Sequence, residues 1–182
     1  MSDNSILITD LLSLPATVDE VDYARRGYHL DVALTADRVR AMAETLLRHE
    51  FYLVFASAVD LAPDAEVVYQ FARHGSPCRI MARAYVRRDG TVPTIADIYH
   101  GANWHERETK DMFGIRFAGH PYLQPLLLPE ENAELKPLKK SEKSIKLPAD
   151  VRWLPEEPAP AAPAAPAAPK AGGDTPTTPE QG

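Results

Sequence analysis

Apolar and polar positions alternate first at Tyr28, Leu30, Val32 and Leu34, which predicts a half-buried strand over that stretch. The period then changes. Val39, Met42, Ala43, Leu46 and Leu47 recur at helical spacing, with Thr35 placed to cap, Asp37 in the first turn, and Arg48 and His49 in the last. The spacing predicts an amphipathic helix over Ala36–His49, and His49 reads as a helix-end residue, not a ligand. Three runs rich in Val, Ile, Phe and Tyr follow: Phe51–Ala58, Glu66–Ala72 and Arg79–Arg87. Turn residues separate them at Pro63-Asp64 and Gly75-Ser76-Pro77, and the short connections favour antiparallel neighbours.

A strand, a helix and a meander make an α+β domain: a small, mostly antiparallel sheet covered by one helix. Arg88-Asp89-Gly90 reads as the turn by which the chain leaves the sheet. Before this unit, residues 1–20 are weakly patterned and read as a short helix or a loose arm. After it the composition changes. Proline recurs eight times from Pro155 to Gly182, and the Ala-Ala-Pro triplets between Pro158 and Pro169 offer almost no side chain to bury. The organisation expected is an arm over 1–20, a domain over 21–148, and a disordered Pro/Ala-rich tail over 149–182.

Between the sheet and the tail, Thr91–Pro129 is dense in local signals. Thr94 with Asp97, and Asn103 with Glu106, both resemble capping pairs, while Gly101 interrupts and Gly114 can stop a helix. Short helices are expected near Ile95–Tyr99 and Trp104–Phe113. In the second, Glu106–Lys110 and Arg107–Asp111 stand as opposite charges four residues apart, and Trp104, Glu108 and Asp111 or Met112 are expected to share a face. Ile115-Arg116-Phe117 reads as extended, Gly119-His120-Pro121 as a tight turn that His120 holds by hydrogen bonding, and Tyr122–Leu128 as an apolar run. A small sheet cannot bury all of this apolar surface, so an interface is its expected destination; a charge-paired, solvated helix is the competing reading.

Composition narrows the chemistry. The net charge of −6 over 182 residues argues against nucleic-acid binding. Glu156, Glu157, Asp174 and Glu180 against Lys170 leave −3 on the stretch from Pro155 to Gly182, so the core is only mildly acidic. A single cysteine, Cys78, cannot form an internal disulfide or supply the ligands of an iron–sulfur cluster or a Cys-based zinc site. It lies in an apolar run and reads as a buried thiol. No secretory signal pattern opens the chain, and no apolar stretch approaches the roughly 20 residues needed to cross a bilayer, so a soluble chain that meets a membrane only through partners is expected.

Catalytic readings fit poorly. His100 and His105 lie about 500° apart around a helix and share no face, and the two-His zinc protease spacing is missing. Dinucleotide, phosphate-loop and nucleophile-elbow motifs are also missing. No catalytic, cofactor-binding or metal-binding residue is therefore assigned. The alternative from another class is a stand-alone metallohydrolase using His100, His105 and His120.

The run Gly101-Ala-Asn-Trp-His-Glu-Arg-Glu-Thr-Lys-Asp-Met-Phe-Gly-Ile-Arg-Phe-Ala-Gly-His-Pro121 resembles the signature of the thirty-kilodalton subunit family of respiratory complex I, known as the C subunit in bacterial NADH-quinone oxidoreductase. The likeness extends more weakly back to about Tyr28 and forward to Leu138. It implies a cofactor-less structural subunit of the peripheral arm, with FMN and iron–sulfur clusters carried by other subunits. It also implies docking on a hydrogenase-like large subunit of the forty-nine-kilodalton type, beside a cluster-bearing small subunit, on the cytoplasmic side of the bacterial inner membrane. The signature and interface residues it points to are Asn103, Trp104, Glu106, Arg107, Glu108, Asp111, Phe113, Gly114, Gly119, His120 and Pro121. Three departures stand out. Tyr122 replaces an acidic residue, Gln124-Pro125 a basic one, and Lys136-Pro137-Leu138-Lys139-Lys140 lacks the usual aromatic Asp-Tyr-Pro continuation. Related subunits of membrane-bound [NiFe] hydrogenases and formate hydrogenlyase-type complexes are the alternative the resemblance leaves open.

Overall fold

The computed structural model describes residues 3–140, apart from 62–63, 76, 88–89 and 133–134. The turn expected at Arg88-Asp89 and the tail expected over 149–182 lie outside the described residues. The chain begins with helix α1 (Asp3–Leu12), strand β1 (Ala16–Glu20) and a single helical turn α2 (Tyr23–Arg26). Strand β2 (Leu30–Thr35) runs through a 3₁₀ turn (Ala36–Arg38) into α3 (Val39–Arg48). The meander follows as β3 (Tyr52–Asp60), β4 (Ala65–Arg73) and β5 (Cys78–Val86). The second half holds β6 (Thr91–Pro93), α4 (Ala102–Phe113) and β7 (Arg116–Ala118).

Five strands form one sheet in the order β1-β2-β5-β4-β3, while β6 and β7 pair separately. All its neighbours are antiparallel except β2 and β5. That parallel pair needs a long crossover, here made of α3, β3 and β4. The period-2 pattern of the sequence sets one face inward. Leu30, Val32 and Leu34 lie in register with Ile80, Ala82 and Ala84, which in turn face Phe71, Tyr69 and Val67. All nine are buried. On the outward face, Arg83 of β5 donates from Nε and Nη2 to the two carboxylate oxygens of Asp31 on β2, at 2.8 and 2.9 Å, and from Nη2 to the Tyr28 hydroxyl at 2.6 Å.

Helix α3 buries Val39, Met42, Ala43 and Leu46 as the spacing predicts, but Leu47 is exposed and Thr45 is buried instead. The stripe is turned toward α1, on whose side His49 at the end of α3 meets Asp10 at 2.8 Å. Of the two readings offered for this stretch the short helix forms, as α1, and residues 3–20 are not a loose arm. Leu7 and Leu11 are fully buried in the common core, and β1 is hydrogen-bonded to β2 along its whole length. The boundary expected at residue 20 does not exist in the fold, and the layer covering the sheet contains α1 as well as α3. Cys78 is a buried thiol at the start of β5, as its apolar neighbours suggest.

The second half is tied to this core by Tyr99. Its ring packs on Phe71 at a centroid distance of 5.4 Å, and its hydroxyl donates to the Phe51 carbonyl at 3.0 Å. Burial pushes the phenol pKa well up, which keeps it a neutral donor. The expected helix over Ile95–Tyr99 is only a turn, closed by Ile98 and Tyr99 N–H bonds to the Ile95 carbonyl.

Candidate functional site

Helix α4 carries most of the signature, and its charges do not form the ladder their spacing suggests. Neither the Glu106–Lys110 nor the Arg107–Asp111 pair forms among the described residues, because each side chain reaches into other segments. Ala102, Glu106, Thr109 and Phe113 lie at helical spacing on the inward stripe, and the first three are buried. Glu106 Oε1 accepts the Ile95 N–H at 2.8 Å, and Oε2 meets the Thr94 hydroxyl. Glu106 thus caps the 94–99 turn from outside. Asn103 does not cap α4 with its side chain. Gly101 occupies the N-cap position without a side-chain bond, and Asn103 contributes its backbone carbonyl instead.

The other three charges latch the segment from Tyr122 to Leu128 onto α4. Arg107 donates from Nε to the Gln124 carbonyl at 3.0 Å and from Nη2 to the Pro125 carbonyl at 2.8 Å, with its guanidinium 5.1 Å from the Tyr122 ring centre. Lys110 Nζ donates to the Leu123 carbonyl at 2.9 Å. Asp111 Oδ2 accepts the backbone N–H groups of Leu126, Leu127 and Leu128 at 2.7, 2.9 and 3.4 Å. Burial alone would raise the Asp111 pKa, but these three donors outweigh it and hold the carboxyl below its ordinary value. A segment without regular structure thereby has its backbone groups satisfied by side chains, which is what fixes its path. We call it the strap.

Gly114 ends α4 at φ 77°, returning its N–H to the Lys110 carbonyl at 2.8 Å, and Lys136 packs where a Cβ would stand. Gly119 turns the chain at φ 80° into the strap. His120 holds this turn as the sequence predicts. Its Nδ1 accepts the Tyr122 N–H at 3.0 Å, and its Nε2 lies 3.3 Å from the Asn103 carbonyl. Burial pushes its pKa down, and the nearby Arg107 charge adds to this while the Asn103 bond opposes it.

The signature therefore divides by direction. Glu106, Asp111, His120, Arg107 and the Asn103 carbonyl build the inside, and Phe113 is half-buried against the core. Trp104, Glu108 and Pro121 stand outside. Trp104 and Glu108 share the outer face of α4 as expected; of the two candidates for its third position, Asp111 is buried and half-buried Met112 keeps the helical spacing. Trp104 is 67% exposed, Tyr122 59% and Leu127 58%. Sequence reasoning missed Thr94, Lys110 and Gln124 as partners. The available signal was the inward stripe itself, where a glutamate occupies a core position and so demands buried donors.

His100 and His105 do not join His120 in a cluster. Among the described residues, no group of three or more His, Cys, Asp or Glu is placed to hold a metal ion. A cavity of about 550 Å³, lined by Tyr23, His29, Tyr52 and Arg79 among others, shares no residue with the α4 network. No helix among the described residues is long and apolar enough to cross a membrane.

The α+β domain and its latched, aromatic-bearing surface fall within a known family. Residues 32–146 match the family described as "Respiratory-chain NADH dehydrogenase, 30 Kd subunit", and the chain belongs to it. The C subunit of F(420)H(2) dehydrogenase from Methanosarcina mazei is 37% identical over 49% of this chain and 58% of its own length. The C subunit of NADH-quinone oxidoreductase from Rhizobium rhizogenes is 32% identical over 70% of this chain and 65% of its own. In the C/D subunit of the same enzyme from Chromohalobacter salexigens, 49% identity spans 38% of this chain but only 12% of that protein. The chain thus spans less than two thirds of these relatives' lengths. Among solved structures, a chain of the membrane-bound sulfane sulfur reductase, an archaeal respiratory membrane complex, superposes with a TM-score of 0.65. It is 26% identical and covers 81% of this chain and 88% of its own.

Proposed function

We propose that this chain is a structural subunit, without a cofactor of its own, in the peripheral arm of a proton-translocating NADH-quinone oxidoreductase. On this reading it supports electron transfer from NADH to quinone by docking, on the cytoplasmic side of the bacterial inner membrane. Its partners are a hydrogenase-like large subunit of the forty-nine-kilodalton type and a neighbouring cluster-bearing small subunit, and FMN and the clusters reside elsewhere in the complex. The observation that carries the reading is the exposure of Trp104, Tyr122 and Leu127 on backbone that buried signature side chains hold in place. Exposed aromatic anchors on a preorganised backbone lose little freedom on binding, which is what an interface needs. The relative named C/D, a longer chain of which the match occupies a small part, supports a D-type neighbour.

A second reading has its own support. The F(420)H(2) dehydrogenase relative and the archaeal membrane complex favour the equivalent subunit of a complex with another electron donor, in the manner of membrane-bound [NiFe] hydrogenases or formate hydrogenlyase-type assemblies. Native affinity capture of the tagged chain with mass spectrometry separates the two. Recovery of a flavin-containing NADH module supports the first. Recovery of a large subunit with four nickel-binding cysteines supports the second, and recovery of the chain alone overturns both. Arg107→Ala, which releases the strap, and Phe113→Ala, which unseats α4 from the core, are expected to lower complex yield at least several-fold. Unchanged yield in both variants counts against docking through this face.

A further inference from the structure

Beneath α4 lies a polar nook whose hydrogen bonds leave one proton to be placed. The side chains of Glu106 and His120 are both fully buried, with Nε2 of the imidazole 3.8 Å from Oε2 of the carboxyl. His120 Nδ1 accepts the Tyr122 N–H, so its ring proton sits on Nε2 and points to the Asn103 carbonyl. A second ring proton would have to occupy Nδ1, directly against the Tyr122 N–H, and would break the turn. The imidazole is therefore held neutral by geometry, and among the described residues no cation is paired with Glu106 inside the nook.

The surrounding charges do not supply one. On the 94–99 turn, Asp97 lies at the surface paired with Arg40 of α3, at 2.6 and 2.8 Å, and repels a charge on Glu106. On α4 itself, Arg107 is committed to the strap carbonyls. From β4, Tyr69 contributes a buried hydroxyl without a hydrogen-bond partner among the described residues, and its pKa is raised by burial and by the Glu106 charge. The Thr94 hydroxyl and Ile95 N–H stabilise a carboxylate, but two neutral donors do not replace the hydration that burial removes.

We propose that Glu106 and His120 form a buried single-proton site, in which Glu106 holds the proton and its release draws the His120 Nε2–H from Asn103, loosening the turn into the strap. The proton leaves to solvent, the carboxylate stays behind, and the imidazole remains neutral throughout. Burial, the largest influence on both groups, pushes Glu106 up to about 7 and His120 down, in keeping with this placement. The inference deepens the docking reading by making the strap face sensitive to pH, but its test needs no partner, so the two fail separately.

The test follows the ¹³C carboxyl shift of Glu106, the ¹⁵N shifts of His120 and the exchange of the Tyr122 and Leu126 N–H groups in the full 182-residue chain. Glu106 is expected to titrate near neutrality while His120 keeps its neutral Nε2–H form across about pH 5–9. Exchange at Tyr122 and Leu126, corrected for intrinsic chemistry, is expected to quicken roughly tenfold from about pH 6 to 8.5. Glu106→Gln, which keeps the size and a carbonyl acceptor for Ile95, should abolish that dependence. Titration of Glu106 below about pH 5, protonation of His120 Nδ1 near pH 6, or the same dependence in Glu106→Gln overturns the proposal. Should the variant not fold, the carboxyl titration of the wild-type chain decides alone.

Discussion

Asp111 shows how one side chain can organise a segment with no regular structure. Three strap N–H groups converge on a single carboxylate oxygen, so removing it leaves three donors without an acceptor. Asp111→Ala is expected to lower stability by about 2–3 kcal/mol, and to expose Leu126–Leu128 to hydrogen exchange before the sheet opens. Urea unfolding and residue-resolved exchange measure the two effects, and an unchanged exchange pattern would show that the strap is held by other means. The folded-state pKa of this carboxyl is depressed, so its contribution is complete above the ordinary value of 3.8 and lost as pH falls through the lower folded value. Glu106 has the opposite sign. Its folded pKa is raised, so its neutral form favours the fold most below the ordinary 4.5, and stability declines as pH rises toward about 7. Relative to Glu106→Gln, the wild type should lose on the order of 3 kcal/mol across that window, read from unfolding midpoints at successive pH.

Among the elements, α1 and the β2–β5 pair carry the lesson about distance. Nothing local in residues 1–20 marks them as core, since Leu7 and Leu11 form too short a stripe to stand out. Only contact with α3 and the sheet buries them. Leu11→Ala is expected to cost about 2–4 kcal/mol, the range for a buried leucine, with cooperative unfolding retained. A change below about 0.5 kcal/mol would return residues 1–20 to the status of an arm. The strands, by contrast, were readable. Period-2 alternation and β-branched composition set β2 to β5 within a few residues, and turn residues separated them. What alternation cannot express is that β2 lies beside β5 in parallel, a pairing made across a long stretch of intervening chain and fastened by Arg83 on Asp31.

For the whole molecule, the division between inward and outward signature residues yields the sharpest expectation. Trp104→Ala removes an exposed ring, so the free chain should unfold within about 0.5 kcal/mol of the wild type while capture of partners falls at least tenfold. Calorimetry and native pull-down measure these separately. A loss of stability without a loss of capture would mean that the ring serves the fold and not an interface. A chain ending at Leu154 should be captured as well as the full one, since the Pro/Ala composition that follows offers no anchor side chains.

The sequence by itself determined the α+β class, the strand meander, helix α3, the placement of α4, the buried thiol and the Gly-His-Pro turn. These depend on periodicity, capping and backbone freedom, which act over a few residues. It also carried the family, in the run from Gly101 to Pro121. Only the tertiary structure decided what the charges of that run do. Glu106, Arg107, Lys110 and Asp111 have local partners at helical spacing, worth a few tenths of a kcal/mol each in water. Folding brought Glu106 the buried N–H and O–H of the 94–99 turn and brought the other three the N–H and carbonyl groups of the strap, which has no regular structure to satisfy them. That difference in magnitude is why the local pairs lost, and why charges spaced for a solvated ladder instead hold the strap and its exposed rings in place.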